Sequence, residues 1–239
     1  MAGDERDEHL DEALKLRPNF PLARMARGLD RSNRNEFAAA KEDLDVAVGF
    51  LPQFAQARMI RGIVLKRMGK FDAAMEDFTV AIDVADLPEA RINRATMEMM
   101  RDLKAARADI DAALKAAPDY VEARMMRGIA RQIGGDFDGA IEDLEAALAK
   151  RPRMAVGWAS LGLAHARKSD FETAIKDFDR AIKCDPAMAE AYLNRAIVRR
   201  GLGMNDPALA DLDKVIELAP AGSAERVKAE RLKRTWKEE

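Results

Sequence analysis

An all-α fold of stacked helix pairs is what this sequence predicts, from a recurring spacing, a helix-forming composition and the punctuation between segments. The spacing is carried by a small residue, a large apolar residue four on, and Ala or Val three beyond. The sets are Ala40/Leu44/Ala47, Ala74/Phe78/Ala81, Ala106/Ile110/Ala113, Ala140/Leu144/Ala147, Ala174/Phe178/Ala181 and Ala208/Leu212/Val215. Successive sets lie 34, 32, 34, 34 and 34 residues apart, and self-similarity at such a period marks repeated two-helix units. Composition agrees: 34% of residues are charged, 5% aromatic and 48% hydrophobic. Chains rich in Ala, Leu, Arg and Glu lose little rotamer freedom in helices, and the apolar share is ample for burial.

The elements follow in order. Residues 1–20 read as an orphan second helix ending at Pro18, either half a repeat or an N-terminal cap. Six repeats then span 21–54, 55–88, 89–120, 121–154, 155–188 and 189–222. Each first helix carries a small residue (Gly28, Gly62, Ala95, Gly128, Gly162 or Ala196) where two backbones must approach closely. A short turn follows, with Asn35, Gly69, Gly135, Ser169 or Gly203 as its left-handed residue. Phe37, Phe71, Phe137 and Phe171 then anchor the second helix. That helix stops at Pro52, Pro118, Pro152, Pro186 or Pro220, because proline cannot donate the next hydrogen bond. The third repeat is irregular. Asp86-Leu87-Pro88 replaces its proline junction, MEMMRDLKAA has no glycine turn, and two residues are lost around its first helix. Either a local change of twist or neutral drift accounts for this. Residues 223–239 read as a capping helix with Val227, Leu232 and Trp236 on one face; contact of Trp236 with a partner is the alternative.

The fullest repeat holds Trp158, Leu161, Gly162, Ala174, Phe178, Ala181 and Pro186, with His165 at a place usually filled by Tyr. This pattern resembles the tetratricopeptide repeat family over roughly residues 21–222. The resemblance implies a right-handed α-solenoid of about six helix-turn-helix repeats with flanking helices at both ends. It also implies a non-catalytic scaffold binding a protein or peptide ligand in a groove lined by first helices. Carried onto this sequence, the groove face is Met25, Leu29, Met59, Ile60, Ile63, Ile92, Asn93, Thr96, Met125, Met126, Ile129, Ser160, Leu163, Asn194 and Ile197. Methionine adapts to varied partners, so this face suits an amphipathic helix or apolar peptide; packing between repeats is the competing account. The Lys, Asn and Arg of carboxylate-clamp relatives are replaced by Met, Ile and Leu, and Asn93 with Asn194 are too few for an asparagine ladder. Self-association, or service as the recruiting arm of a larger protein, are the other readings.

Four repeats depart from the pattern together. Arg24 and Arg27, Arg58 and Arg61, Arg91 and Arg94, and Arg124 and Arg127 stand where a large apolar pair is usual. Every second helix carries an aspartate: Asp43, Asp77, Asp109, Asp143, Asp177 and Asp211. The expected arrangement pairs Arg27, Arg61, Arg94, Arg127 and Arg195 with Asp43, Asp77, Asp109, Asp143 and Asp211 across each hairpin. The fifth repeat has Leu161 yet keeps Asp177. An arginine stripe gripping phosphate or an acidic ligand is the functional alternative.

Other chemistry finds little support. The 40 basic and 42 acidic residues leave a net charge of −2, unlike the basic footprint of a nucleic-acid binder. His9 and His165 have no Cys or His companions for a metal or nucleophile site. Cys184 reads as a plain thiol, and the dispersed glycines form no phosphate loop. No cofactor, metal or enzymatic activity is expected. No apolar run suits membrane insertion, and the acidic N-terminus lacks a signal-peptide core. A cytoplasmic location is expected, with a periplasmic one open if a signal peptide has been removed.

Overall fold

The computed structural model describes residues 2–238, which form fourteen helices and no strand. The chain divides into two compact units, Met1–Tyr120 and Val121–Glu239. The first holds α1 (Ala2–Leu16), α2 (Pro21–Asn33), α3 (Phe37–Phe50), α4 (Ala55–Arg67), α5 (Phe71–Ala85), α6 (Pro88–Glu98) and α7 (Leu103–Ala116). The second holds α8 (Val121–Ile133), α9 (Phe137–Lys150), α10 (Ala155–Arg167), α11 (Phe171–Cys184), α12 (Ala189–Gly201), α13 (Asn205–Leu218) and α14 (Ala224–Glu238). Within each unit every helix packs on its sequence neighbour. The tightest partners are the two helices of one repeat: α2/α3, α4/α5, α6/α7, α8/α9, α10/α11 and α12/α13.

The spacing sets build the core. All eighteen of their residues, from Ala40, Leu44 and Ala47 to Ala208, Leu212 and Val215, have no solvent exposure. Opposite them the small residue of each first helix admits the larger side chain. A Cβ added to Gly62 would lie 2.7 Å from the Phe78 ring, and one on Gly28 would lie 2.8 Å from Leu44 Cγ. Where the first helix carries Ala95 or Ala196, the facing residue is the aliphatic Ile110 or Leu212.

Five of the intra-repeat turns share one closure. Asn35, Gly69, Gly135, Ser169 and Gly203 all have φ between 63° and 84°. The next residue's N–H returns to a carbonyl five back: Glu36 to Arg31, Lys70 to Leu65, Asp136 to Arg131, Asp170 to His165 and Met204 to Arg199. This six-to-one bond satisfies a carbonyl that the helix end leaves open. The third repeat turns differently: Met99 is buried, no residue between α6 and α7 has positive φ, and the Asp102 side chain caps α7 by accepting from Ala105 N–H. Asp86 takes the left-handed conformation instead, at the end of α5.

Two expectations need correction. Phe71 opens α5 but is 55% exposed, so it does not anchor that helix as the half-buried Phe37, Phe137 and Phe171 can. In α14, Leu232 and Trp236 pack on the core of α12 and α13, but Val227 is exposed and Ala229 is buried in its place. A spacing of three or four residues joins Ala229, Leu232 and Trp236 on one stripe, and Val227 falls off it.

Candidate functional site

Two features organise the first-helix faces: a chain of arginine–aspartate contacts and an opening beside α12. The contacts begin with second-helix aspartates that sit one residue before the large core residue. Asp43, Asp77, Asp109, Asp143, Asp177 and Asp211 are all buried. Such carboxylates are costly to bury unless paired. Arg27 donates through Nε and Nη2 to both Asp43 oxygens at 2.8 and 2.7 Å. Arg61 grips Asp77 at 2.7 and 2.8 Å, and Arg94 grips Asp109 at 2.7 and 2.8 Å. Arg127 holds Asp143 at 2.8 and 2.7 Å, and Arg195 holds Asp211 at 3.0 and 2.6 Å.

The arginine one helical turn earlier plays two parts. Arg24 and Arg58 donate Nη1 to Asp43 and Asp77, while their Nε atoms donate to the carbonyls of Pro18 and Pro52. In the fifth repeat Trp158 makes the corresponding bond, from Nε1 to the Pro152 carbonyl at 2.8 Å. The arginines thus reproduce the indole's hydrogen bond and add a charge. Sequence reasoning missed a third arginine, four residues after the central one. Arg31, Arg131 and Arg199 each reach the same aspartate at 2.8–2.9 Å, and their i, i+4 spacing from Arg27, Arg127 and Arg195 was the available signal.

A second reach runs backwards along the chain. Nη1 of Arg27, Arg61 and Arg195 meets Asp11, Asp45 and Asp179, each on the helix before. Arg94 meets Thr79 instead. In these four repeats the central arginine therefore ties its own hairpin to the preceding helix. The fifth repeat is different. His165 Nδ1 lies 2.8 Å from Asp177 Oδ2, and Leu161 packs with Leu144, Leu148 and Trp158.

Electrostatics separate the two kinds of pocket. Burial pushes Asp43 up, but hydrogen bonds from Arg27 and Arg24 outweigh it and hold the carboxyl below its usual range. Asp177 has no arginine on both oxygens, and burial pushes its carboxyl up despite His165. Arg24, Arg27, Arg58, Arg61, Arg91, Arg94, Arg127 and Arg195 are thus engaged by these buried carboxylates rather than presented as an anion-binding stripe.

The groove residues fare unevenly. Ile60 and Ile92 are buried in the core and line no open surface, which corrects their assignment to the groove. The physical reason is their position on the flank of the first helix that the neighbouring helices cover. Met25, Leu29, Met59 and Ile63 are half-buried and pack on core clusters of α3, α4 and α5, while Met125 and Ile129 pack against Leu144 and Leu148. Met126 and Ser160 are also half-buried. Asn93 is engaged, donating to the Glu89 carbonyl and accepting from Lys66. Thr96 is exposed but spends its hydroxyl on the Ile92 carbonyl.

Openings on these faces occur in both units. One of about 410 Å³ is lined by Lys66, Phe71, Thr96, Met97 and Arg101 in the first, and another lies in the second. A cavity of about 340 Å³ is lined by Leu163 and Ala166 of α10, Phe171 of α11, Asn194 and Ile197 of α12, and Lys228 of α14. Ile197 is 39% exposed there. The sequence reading placed Leu163, Asn194 and Ile197 on this face but not Ala166, Phe171 or Lys228, the last of which comes from the terminal helix. Among the described residues, no group of three or more His, Cys, Asp or Glu is placed to hold a metal ion, and no helix is long and apolar enough to cross a membrane.

Comparison with known proteins bears on the fold. The profile of the family described as Tetratricopeptide repeat matches residues 100–155, 128–189 and 160–223. Among curated proteins no sequence matches. Among solved structures, a chain of the Cut9-Hcn1 hetero-tetramer is similar with a TM-score of 0.88 at 16% identity, over 98% of this chain and 46% of that one. This chain thus spans under half the length of that relative. PilF of Pseudomonas aeruginosa is similar with a TM-score of 0.71 at 17% identity, over 95% of this chain and 99% of that one. YrrB gives 0.56 at 18% identity, over 80% and 97%. At these identities the likeness is one of fold. With the repeat spacing, the buried small residues and the profile in agreement, the chain belongs to the tetratricopeptide repeat family, an all-α helical repeat solenoid that serves generally as a protein-interaction scaffold.

Proposed function

We propose that this chain is a non-catalytic scaffold that takes a peptide or amphipathic helix of a partner protein against the first-helix face of α10 and α12. The observation that carries the reading is the cavity beside Asn194 and Ile197. It combines apolar walls from Leu163 and Phe171 with an asparagine amide that has no hydrogen bond within the protein among the described residues. Pockets of this kind bind by apolar burial and use a few polar groups to fix orientation. Arg167 and Lys228 at the rim favour a segment carrying negative charge near its apolar anchor. YrrB is described as having an unusual peptide-binding site, which supports looking for a peptide here.

The test is an affinity capture comparing the unaltered chain with an Asn194→Ala, Ile197→Glu variant of unchanged helical content. Loss of captured partners is expected, because a carboxylate placed among apolar walls disfavours burial of an apolar side chain. Equal capture by the folded variant would remove the cavity as the binding site. Light scattering across concentrations separates partner binding from association between copies.

A further inference from the structure

The other end of the α10/α11 hairpin holds a larger cavity, of about 610 Å³, lined by Pro152, Arg153, Trp158, Arg180, Lys183 and Cys184. Its chemistry differs from that of the groove. Three cations and one tryptophan line it, in a chain whose net charge is −2. The Trp158 indole is fixed by its bond to the Pro152 carbonyl, and the Arg180 guanidinium lies 4.5 Å from its ring. Trp158 thereby orients Arg180 by a cation–π contact.

Two of these three cations, Arg153 and Lys183, lack a counter-charge among the described residues. Most arginines of the first helices are spent on buried aspartates, as described above. Arg153 and Lys183 are exposed and make no ion pair among the described residues. Among the described residues Arg180 pairs with Asp177, at 3.6 Å, and the nearer bond of that carboxylate is to His165. Like charges gathered in a concave pocket raise the local potential and attract anions.

We propose that this cavity is a second binding site, separate from the groove, that receives the acidic side chains of a partner polypeptide. The guanidinium of Arg180, already oriented, offers a planar fork suited to a carboxylate, with Arg153 and Lys183 supplying charge from the two flanking segments. The indole face is covered by Arg180, so base stacking of a nucleic acid is disfavoured. The cations line one concavity rather than a broad flat face, which disfavours a lipid surface. A peptide strand presenting consecutive carboxylates fits both limits.

The experiment measures fluorescence anisotropy of a dye-labelled oligoglutamate peptide and of its oligoglutamine counterpart with the full chain. Binding of the glutamate peptide alone, weakening as salt is raised, is expected. An Arg153→Gln, Arg180→Gln, Lys183→Gln variant should bind roughly tenfold or more weakly. The single Lys183→Gln change, at an exposed position, should weaken binding measurably while leaving the thermal melt unchanged. The Ile197→Glu variant should retain binding, which distinguishes failure of this site from failure of the groove. The proposal is overturned if the glutamate peptide does not bind, if the triple variant binds equally well, or if inorganic phosphate displaces the peptide at equal concentration.

Discussion

At the scale of single residues, six buried aspartates share one position but have two environments. Asp43 accepts from Arg24, Arg27 and Arg31, whereas Asp177 has His165 at 2.8 Å and Arg180 at 3.6 Å. Removing one partner of a buried, bonded charge cluster costs about 3–5 kcal/mol. Asp43→Asn should approach that loss, because it leaves three arginines facing a neutral amide. Asp177→Asn should stay within about 1 kcal/mol of the unaltered chain, since it removes a charge that burial already disfavours. Urea denaturation of the two variants decides the matter; equal losses would refute the distinction. Acid separates them further. The folded carboxyl of Asp43 is depressed, so its contribution is present above the ordinary aspartate range and is lost as pH falls through the lower folded value. Asp177 is raised, so its contribution has the opposite sign, present at low pH and lost as pH rises through the folded value. The stability gap between the unaltered chain and Asp43→Asn should therefore narrow as pH falls below the ordinary aspartate range. The arginine and aspartate positions are legible in the sequence as recurrences about 34 residues apart. The later arginine that reaches Asp43, Asp143 and Asp211 is less so, because its reach depends on how far the first helix rotates toward the second.

At the scale of the helix pair, size is balanced across the hairpin. Gly62 and Gly162 face the rings of Phe78 and Phe178, whereas Gly28 and Gly128 face Leu44 and Leu144. A Cβ on Gly62 would meet three ring atoms of Phe78 at 2.7–3.0 Å, which move only as one rigid plate. One on Gly128 would meet the Cγ of Leu144 at 2.8 Å, which a shift of the flexible side chain can withdraw. Gly62→Ala should therefore destabilise by about 1–3 kcal/mol, and Gly128→Ala by distinctly less. The pairing of Ala196 with Leu212, both buried, shows that leucine tolerates the extra methyl. Thermal melts of the two variants check the order. The small residues and turn residues were readable because each is a steric necessity that few side chains meet; Asn35 and Ser169 do so at φ of 63° and 65°. The exposure of Phe71 and the burial of Met99 were not readable. Both depend on how the shortened third repeat packs, and sequence spacing gives that shortening without its geometry.

At the scale of the whole chain, each of the two compact units has its own buried sets and its own arginine contacts. Helical repeats are stabilised by nearest-neighbour packing, so the segment 121–239 produced alone should fold as a helical domain with a cooperative melt. A non-cooperative melt of that segment would show that it needs the preceding half. Its cation-rich cavity and the cavity beside Asn194 both lie within this segment, so both binding tests can be repeated on it once folding is demonstrated. The location of the opening illustrates why the site was the least legible part. A sequence places residues on a helix face, but only packed neighbours decide which of them, Ile60 or Ile197, meets solvent.

The central arginine lies sixteen residues after one acceptor and sixteen before another, as Arg61 does between Asp45 and Asp77. That makes the repeats directional modules with unlike ends, each needing a matched predecessor. Transplanting the module of Arg195 behind one without an acceptor at the place of Asp179 would leave a cation unanswered at the new seam. The module of Leu161, which makes no such demand, could follow any of them. Rearrangement by gene duplication or by design is therefore constrained by grammar as well as by shape, with the fifth module as its most permissive insertion.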